Sequence, residues 1–360
     1  MKTPIVLTLD AGGTNFVFSA IQDEDFITQK VTLPALAHDL NLCINQLLLG
    51  FESVLKQLRE KPVAISFSFP GPADYPNGII GGFLPNFPSF REGVALKRIL
   101  ENRFKLPVFI NNDADLFTYG EATHGRLPEI NKQLKQLGST KTYHNMLGYT
   151  FGTGFGFGFV SNGHLHIGDN SCVETFCLRH KTMQGQIAES GVSARAIVRV
   201  YNELSHANNT LLTPKDVFDI AEGNKPGDAS CAKESFRQFG ETAGDAIATA
   251  ASLIDGIVVI GGGITAASKY IMPAILKEMR GTLKTIDGES VRRVQMDVYD
   301  LDNEEEFQKF ACSHNIKLKV WGSDEYVDYD PIKRIGVTIS RNGAAKSISL
   351  GAAKYALNHL

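Results

Sequence analysis

Two glycine–threonine turns, far apart in the chain, are the residues best suited to chemistry. Asp10-Ala11-Gly12-Gly13-Thr14-Asn15 follows the apolar run 5–9, and Gly152-Thr153-Gly154-Phe155-Gly156-Phe157-Gly158 follows the apolar run 146–151. Glycine has no Cβ, so its backbone N–H groups can come within bonding distance of a ligand. Threonine adds a hydroxyl donor, and successive N–H groups in a turn make a concavity suited to anions. Taken singly, either turn reads as well as an ordinary hairpin connection. Two of the same construction, with Asn111-Asn112-Asp113 between them, point to a nucleotide phosphate gripped from two sides with a carboxylate base beside it. That is the equipment for phosphoryl transfer from ATP to an alcohol such as a sugar.

The elements that must position these turns read as alternating sheet and helix. Runs 5–9, 16–20 and 26–33 predict an antiparallel meander. Over 39–60 the apolar residues Leu40, Ile44, Leu47, Leu48, Phe51, Val54, Leu55 and Leu58 recur three and four apart, one face of an amphipathic helix. Strand 63–69 stops at Pro70-Gly71-Pro72; helix 93–104, strand 107–110 and a helix opening near Asp113 follow. The order returns in the second half, as strands 146–151, 155–160 and 164–167, helices 188–204 and 229–253, strand 256–260, the turn Gly261-Gly262-Gly263 and helix 267–280. Two duplicated β-meander/α domains around a cleft describe the α/β actin-like ATPase (ribonuclease H-like) fold, with ligands expected at the carboxyl ends of strands. The domains read as 1–120, smaller and joined by the C-terminal helix 344–360, and 121–343, larger. Lysine-rich 127–145 reads as a surface insertion, and 281–330 as a second one.

Bulk properties narrow the class. The 360 residues are 43% hydrophobic and 21% charged, the balance of a soluble globular protein with two cores. A net charge of −3 argues against nucleic acid or anionic membrane as a partner. Five cysteines without a Cys-x-x-Cys pair fit a reducing cytoplasm better than a disulfide framework. The first apolar run is too short for a signal peptide, and the most apolar later stretch, 247–264, holds Asp255 and four glycines. A cytoplasmic location is expected.

In the order Asp10-x-Gly12-Gly13-Thr14, Pro70-Gly71-Pro72, Pro85-Asn86, Asn112-Asp113-Ala114 and Gly152-Thr153-Gly154-x-Gly156, the chain resembles the ROK family of repressors, open reading frames and kinases, which includes glucokinases. The resemblance covers 5–204 and resumes at the glycine triplet and the last helix. It implies ATP-dependent phosphorylation of a hexose, glucokinase-like, giving a sugar 6-phosphate, with ATP and Mg²⁺ as cofactors. It implies Asp113 as general base, and Asp10 as the Mg²⁺ holder, through water. Gly12, Gly13, Thr14 and Asn15 would lie along the phosphates. Gly152, Thr153 and Gly154 would close over them from the other domain, and Gly261, Gly262 and Gly263 would form the adenosine-side turn. Gly71, Asn86, Asn112, Asp113 and Glu174 would contact the sugar.

Plainer readings stand beside these. Asn112 or Asp113 suits a helix N-cap, and Asn86 suits a turn. The alternating Gly154, Gly156 and Gly158 leave one strand face bare, either for another backbone or for a nucleotide. Many family members carry a structural zinc site ending in Gly-Cys-x-Glu. Here the region has Cys172, Cys177 and His180, with Gln186 where that Glu is expected, so no structural zinc is expected and the cysteines read as small buried thiols. The altered region leaves open a non-catalytic sugar-binding or sensing protein, or a kinase for an N-acetylhexosamine or fructose. No helix-turn-helix domain is expected ahead of the first strand. Family members often form dimers or tetramers, so a homodimer is among the expectations.

Overall fold

The computed structural model describes residues 3–71, 73–207 and 209–360; Pro72 of the Pro-Gly-Pro motif lies outside the described residues. Two compact units result. One comprises Met1–Gly125, Gly156–Phe176 and Arg341–Leu360; the other comprises Arg126–Phe155 and Cys177–Ser340.

In the first unit the strands are β1 (Val6–Ala11), β2 (Asn15–Gln22), β3 (Asp25–Phe26), β4 (Val31–Pro34), β5 (Ala64–Ser68), β6 (Ala73–Asp74), β7 (Ile79–Ile80) and β8 (Val108–Asn111). The main sheet has the order β3-β2-β1-β5-β8, with β4 also on β2. β1 is antiparallel to β2 but parallel to β5, where Asp10 sits beside Ser68; β5 is parallel to β8, where Ser68 sits beside Asn111. The carboxyl ends of these parallel strands therefore bring Asp10 and Asn111 to one edge of the sheet, where ligands of α/β layers bind. The third meander strand is split. Ile27 N–H donates to the Ala20 carbonyl and Ala20 N–H donates to Thr28 Oγ1, so a side chain replaces a ladder partner between β3 and β4.

Helix α1 (Leu40–Leu55) opens at Asp39, whose carboxylate accepts from Leu42 N–H at 3.0 Å. It buries Cys43, Leu47, Phe51 and Val54, in keeping with the apolar spacing of 39–60. It ends short of residue 60 because the N–H groups of Gln57 and Leu58 turn back to carbonyls three residues earlier. Helices α2 (Leu96–Phe104) and α3 (Asp113–His124) follow. Under the site lies an aromatic cluster. Phe87 packs on Phe69 (centroids 4.6 Å apart) and stacks on Phe16 (6.0 Å), while Phe18 meets Phe51 edge-on at 5.0 Å. Each of these rings is fully buried, and such pairs add about 0.5–1.5 kcal/mol beyond their burial. Phe16 follows Asn15, Phe69 precedes Pro70-Gly71 and Phe87 follows Asn86, so one core anchors three loops.

The terminal helix Ala344–Asn358 completes this unit, burying Leu350, Ala353 and Ala356 against Val6, Ile21 and Ala64. It approaches α3 through glycines: a methyl on Gly351 would collide with the Leu116 carbonyl, and one on Gly120 with that of Ser347. Strand Phe155–Ser161 pairs antiparallel with His164–His166. A Cβ on Gly158 would lie 2.8 Å from the Ala114 carbonyl and 2.9 Å from Thr118 Oγ1, so here the bare strand face accommodates a backbone.

The second unit is built on parallel strands. Ile257–Gly261 lies between Met146–Phe151 and Arg334–Ile339, and Asp297–Asp300 adds beyond the latter. Helices Ala194–Ser205, Pro214–Ala221, Ala229–Ile254 and Ser268–Met279 belong to it. Within 127–145 lies most of helix Arg126–Gln136, which buries Leu127, Ile130 and Leu134 on one face; its lysines occupy the other. Within 281–330 lie helix Glu304–Ala311 and two small hairpins. One of them pairs Ile316–Lys319 with Tyr326–Tyr329. Ile316, Leu318, Val327 and Tyr329 on one of its faces are exposed, and Trp321 at its tip is 98% exposed. Among the described residues no helix is long and apolar enough to cross a membrane.

Candidate active site

The first unit gathers the expected sugar-contact positions. Asn112 takes the N-cap of α3, its Oδ1 accepting from Ala114 N–H at 2.7 Å. Capping is thus the work of Asn112, although Asp113 Oδ1 also accepts from Ala114 N–H at 2.9 Å. Asp113 keeps an open surface in the first turn, where the helix dipole favours an anion. The other end of the Asn112 amide donates from Nδ2 to Glu174 Oε2. Glu174 lies on a short 3-10 turn, Val173–Thr175, held by Phe176 stacking on Phe157 with centroids 4.0 Å apart. Gly71 lies close under two side chains: a methyl there would displace Glu174 Oε1 and Tyr75 Oη. Asn86 lies against the first glycine turn: a Cβ on Gly13 would lie 2.8 Å from Asn86 Cβ.

Four carboxyls of this unit, Asp10, Asp113, Asp115 and Glu174, are each held above their usual range. For Asp113 the main cause is loss of bulk water to the surrounding protein, and the Asp10 charge adds to it against the pull of backbone N–H groups. Asp115, buried behind it, is pushed up strongly by burial, then by Glu174 and Asp113. Glu174 rises from 4.5 to about 7 through burial and then the Asp113 charge. Asp10 rises through burial, tempered by Lys30. Crowded carboxyls with raised pKa values mark sites that take protons or cations. A hard cation at Asp10 would relieve the repulsion between Asp10 and Asp113. Among the described residues no group of three His, Cys, Asp or Glu is set to hold a metal. A lone strand-end carboxylate suits Mg²⁺, which keeps water and phosphate oxygens around it.

Two glycine turns meet in the second unit. Thr150 and Gly261 are register partners on neighbouring parallel strands, so Gly152-Thr153-Gly154 and Gly261-Gly262-Gly263 emerge side by side. Gly262, at φ +96°, crosses the Phe151 backbone so closely that a side chain would collide with it. A methyl added at Gly152 or at Gly263 would meet nothing within 4 Å, so both edges are open to a ligand. The 3-10 turn Gly263–Ala267 then leads into helix Ser268–Met279, whose N-terminus suits an anion.

Two further residues of these surroundings had no motif to announce them. Tyr75, buried after β6, donates its hydroxyl to the Phe69 carbonyl at 3.0 Å. Glu189 accepts from Phe155 N–H at 3.3 Å and braces Gly154. It lies three residues past Gln186. Cys172 and Cys177 are exposed, contrary to the buried thiols expected, because their loop carries few apolar neighbours to cover them. His180 Nδ1 accepts from the N–H groups of Thr182 and Met183 at 3.2 and 3.1 Å, so it organises its own loop.

Residues 6–299 match the ROK family, and the chain belongs to it. A glucokinase structure from Parabacteroides distasonis is similar at TM-score 0.90 and 52% identity, over 99% of this chain and 98% of that one. The glucokinase of Thermotoga maritima is 26% identical over 314 residues, 75% of this chain and 89% of its own length. A ROK family glucokinase from Streptomyces griseus, solved with glucose and AMPPNP, shares the fold at TM-score 0.61 and 19% identity, over 97% and 98% of the two chains. The fold is the α/β actin-like ATPase fold of that family.

Proposed function

We propose that this protein is an ATP-dependent hexose kinase, glucokinase-like, that forms a sugar 6-phosphate. The observation that carries the reading is Asp113 on the first turn of α3, beside the N-cap Asn112, with its carboxyl held above the usual range by burial and then by the Asp10 charge. Its support from relatives is the similarity to glucokinases over 99% and 75% of the chain.

In this reading Asn112 and Glu174 hold sugar hydroxyls, since an amide both donates and accepts and a carboxylate accepts twice. Gly71 leaves room there, and Asn86 joins the sugar to the first phosphate turn. Asp113 accepts the proton of the attacking hydroxyl as that oxygen bonds to the γ-phosphoryl group and ADP departs. Gly12, Gly13, Thr14 and Asn15 bind phosphate oxygens, as do Gly152, Thr153 and Gly154; Gly261, Gly262 and Gly263 take the adenosine side. Asp10 would hold Mg²⁺ through water, and the ion would supply neutralisation of phosphate charge.

The test is ADP release from Mg²⁺–ATP across a panel of hexoses and N-acetylhexosamines. One or two sugars should be turned over, and Asp113→Asn should lower kcat by about 10²–10⁴-fold while sugar affinity changes little. Tight sugar binding without turnover in the unmutated protein would instead make it a sugar sensor.

A further inference from the structure

Among the buried groups near the sugar positions that the mechanism leaves unused is the Tyr75 hydroxyl, 3% exposed and facing the same point over Gly71 as Glu174 Oε1. Tyr75 has a single hydroxyl proton, and it points to the Phe69 carbonyl. Glu174 Oε2 is engaged by Asn112, but Glu174 Oε1 is buried and accepts no hydrogen bond. Two oxygens that face one point with no proton between them can be joined by one in two ways. Either Glu174 carries a proton and donates it to Tyr75 Oη, or the Tyr75 proton swings from Phe69 to the Glu174 carboxylate.

We propose that Tyr75 is a positioning residue for Glu174: its hydroxyl, reaching either the Phe69 carbonyl or Glu174 Oε1, keeps the Glu174 carboxyl turned toward Asn112 in the form that accepts sugar hydroxyls. This rests on the proposed sugar-binding role of Glu174. The ionisable groups facing Glu174 are Tyr75 from the turn after β6 and Asp113 and Asp115 from α3. Burial and then the Asp113 charge raise its proton affinity; the Asn112 hydrogen bond and the Tyr75 hydroxyl beside it lower it, favouring the anion. Sugar affinity should therefore be lost as pH falls through about 7, where the acceptor pair becomes an acid.

Tyr75→Phe keeps the ring in its slot and removes only the oxygen. The expected result is a KM for sugar raised about tenfold at neutral pH, the magnitude of one hydrogen bond to a charged group, with the change in KM rather than kcat. The midpoint of sugar binding against pH should move upward. In a Glu174→Gln background the same substitution should alter sugar affinity less than about twofold, because the titrating partner is gone. Gly71→Ala, which drives a methyl between the two oxygens, should reproduce the loss of affinity in a protein that still folds by circular dichroism. A readout independent of sugar is the carboxyl ¹³C titration of Glu174, which should shift upward in Tyr75→Phe. An unmoved titration, or an equal loss of affinity with and without Glu174, would overturn the proposal. If no sugar binds the unmutated protein, the sugar-kinase reading fails, and the ¹³C titration alone still decides the pairing of Tyr75 with Glu174.

Discussion

Glu174 is an acid that folding makes weaker, and the stability of the protein has to register it. Its pKa rises from 4.5 to about 7 on folding, so between those values the native chain keeps a proton that the unfolded chain has lost. Stability therefore falls as pH rises through that window, and the full cost is present above it. Glu174→Gln should raise unfolding free energy by about 1–3 kcal/mol at about pH 8 and leave it unchanged at about pH 4, read by urea titration at both. A gain at acid pH alone would reverse the sign of the argument. At this scale the motif residues were legible: Asn112 beside Asp113, Asn86 after Pro85 and Gly71 between prolines all fall in the first unit. Tyr75 and Glu189 were not, since their contacts arise only where the chain returns to Gly71 and Gly154.

Elements were legible where their period was clean. The spacing of Leu47, Phe51 and Val54 predicted α1, and they are its buried face. Helix Arg126–Gln136 was hidden because four of its residues are lysine, arginine or glutamate and drew attention from Leu127, Ile130 and Leu134. Strand Arg334–Ile339 is buried along nearly all its length, so it shows no alternation, and it follows a hairpin-rich stretch that offers no frame. Helix α3 and helix Ala344–Asn358 approach closely at Gly120 and Gly351. Gly351→Ala should cost about 1–3 kcal/mol or more, because the obstructing Leu116 carbonyl belongs to a helix backbone and cannot rotate away. Thermal unfolding with a midpoint matching the unmutated protein would mean that the helices slide apart freely.

On the scale of the molecule, duplicated element order was readable, but the path of the chain was not. The first unit is assembled from three separate segments, with 156–176 carrying Glu174 into it and 341–360 closing it. No local pattern marks such returns; they depend on Gly158 seating against α3 and on Leu350, Ala353 and Ala356 covering β1 and β5. The hairpin Ile316–Lys319/Tyr326–Tyr329 stands apart from both cores in one respect: its tip carries the only tryptophan of the sequence. With Trp321 fully open to water there, the native emission of the protein should already be as red as that of free indole. A denaturant titration followed at that wavelength should stay nearly flat while circular dichroism records the loss of both sheets. The usual optical gauge of folding is therefore blind to the fold here, and becomes instead a selective reporter for whatever touches this hairpin.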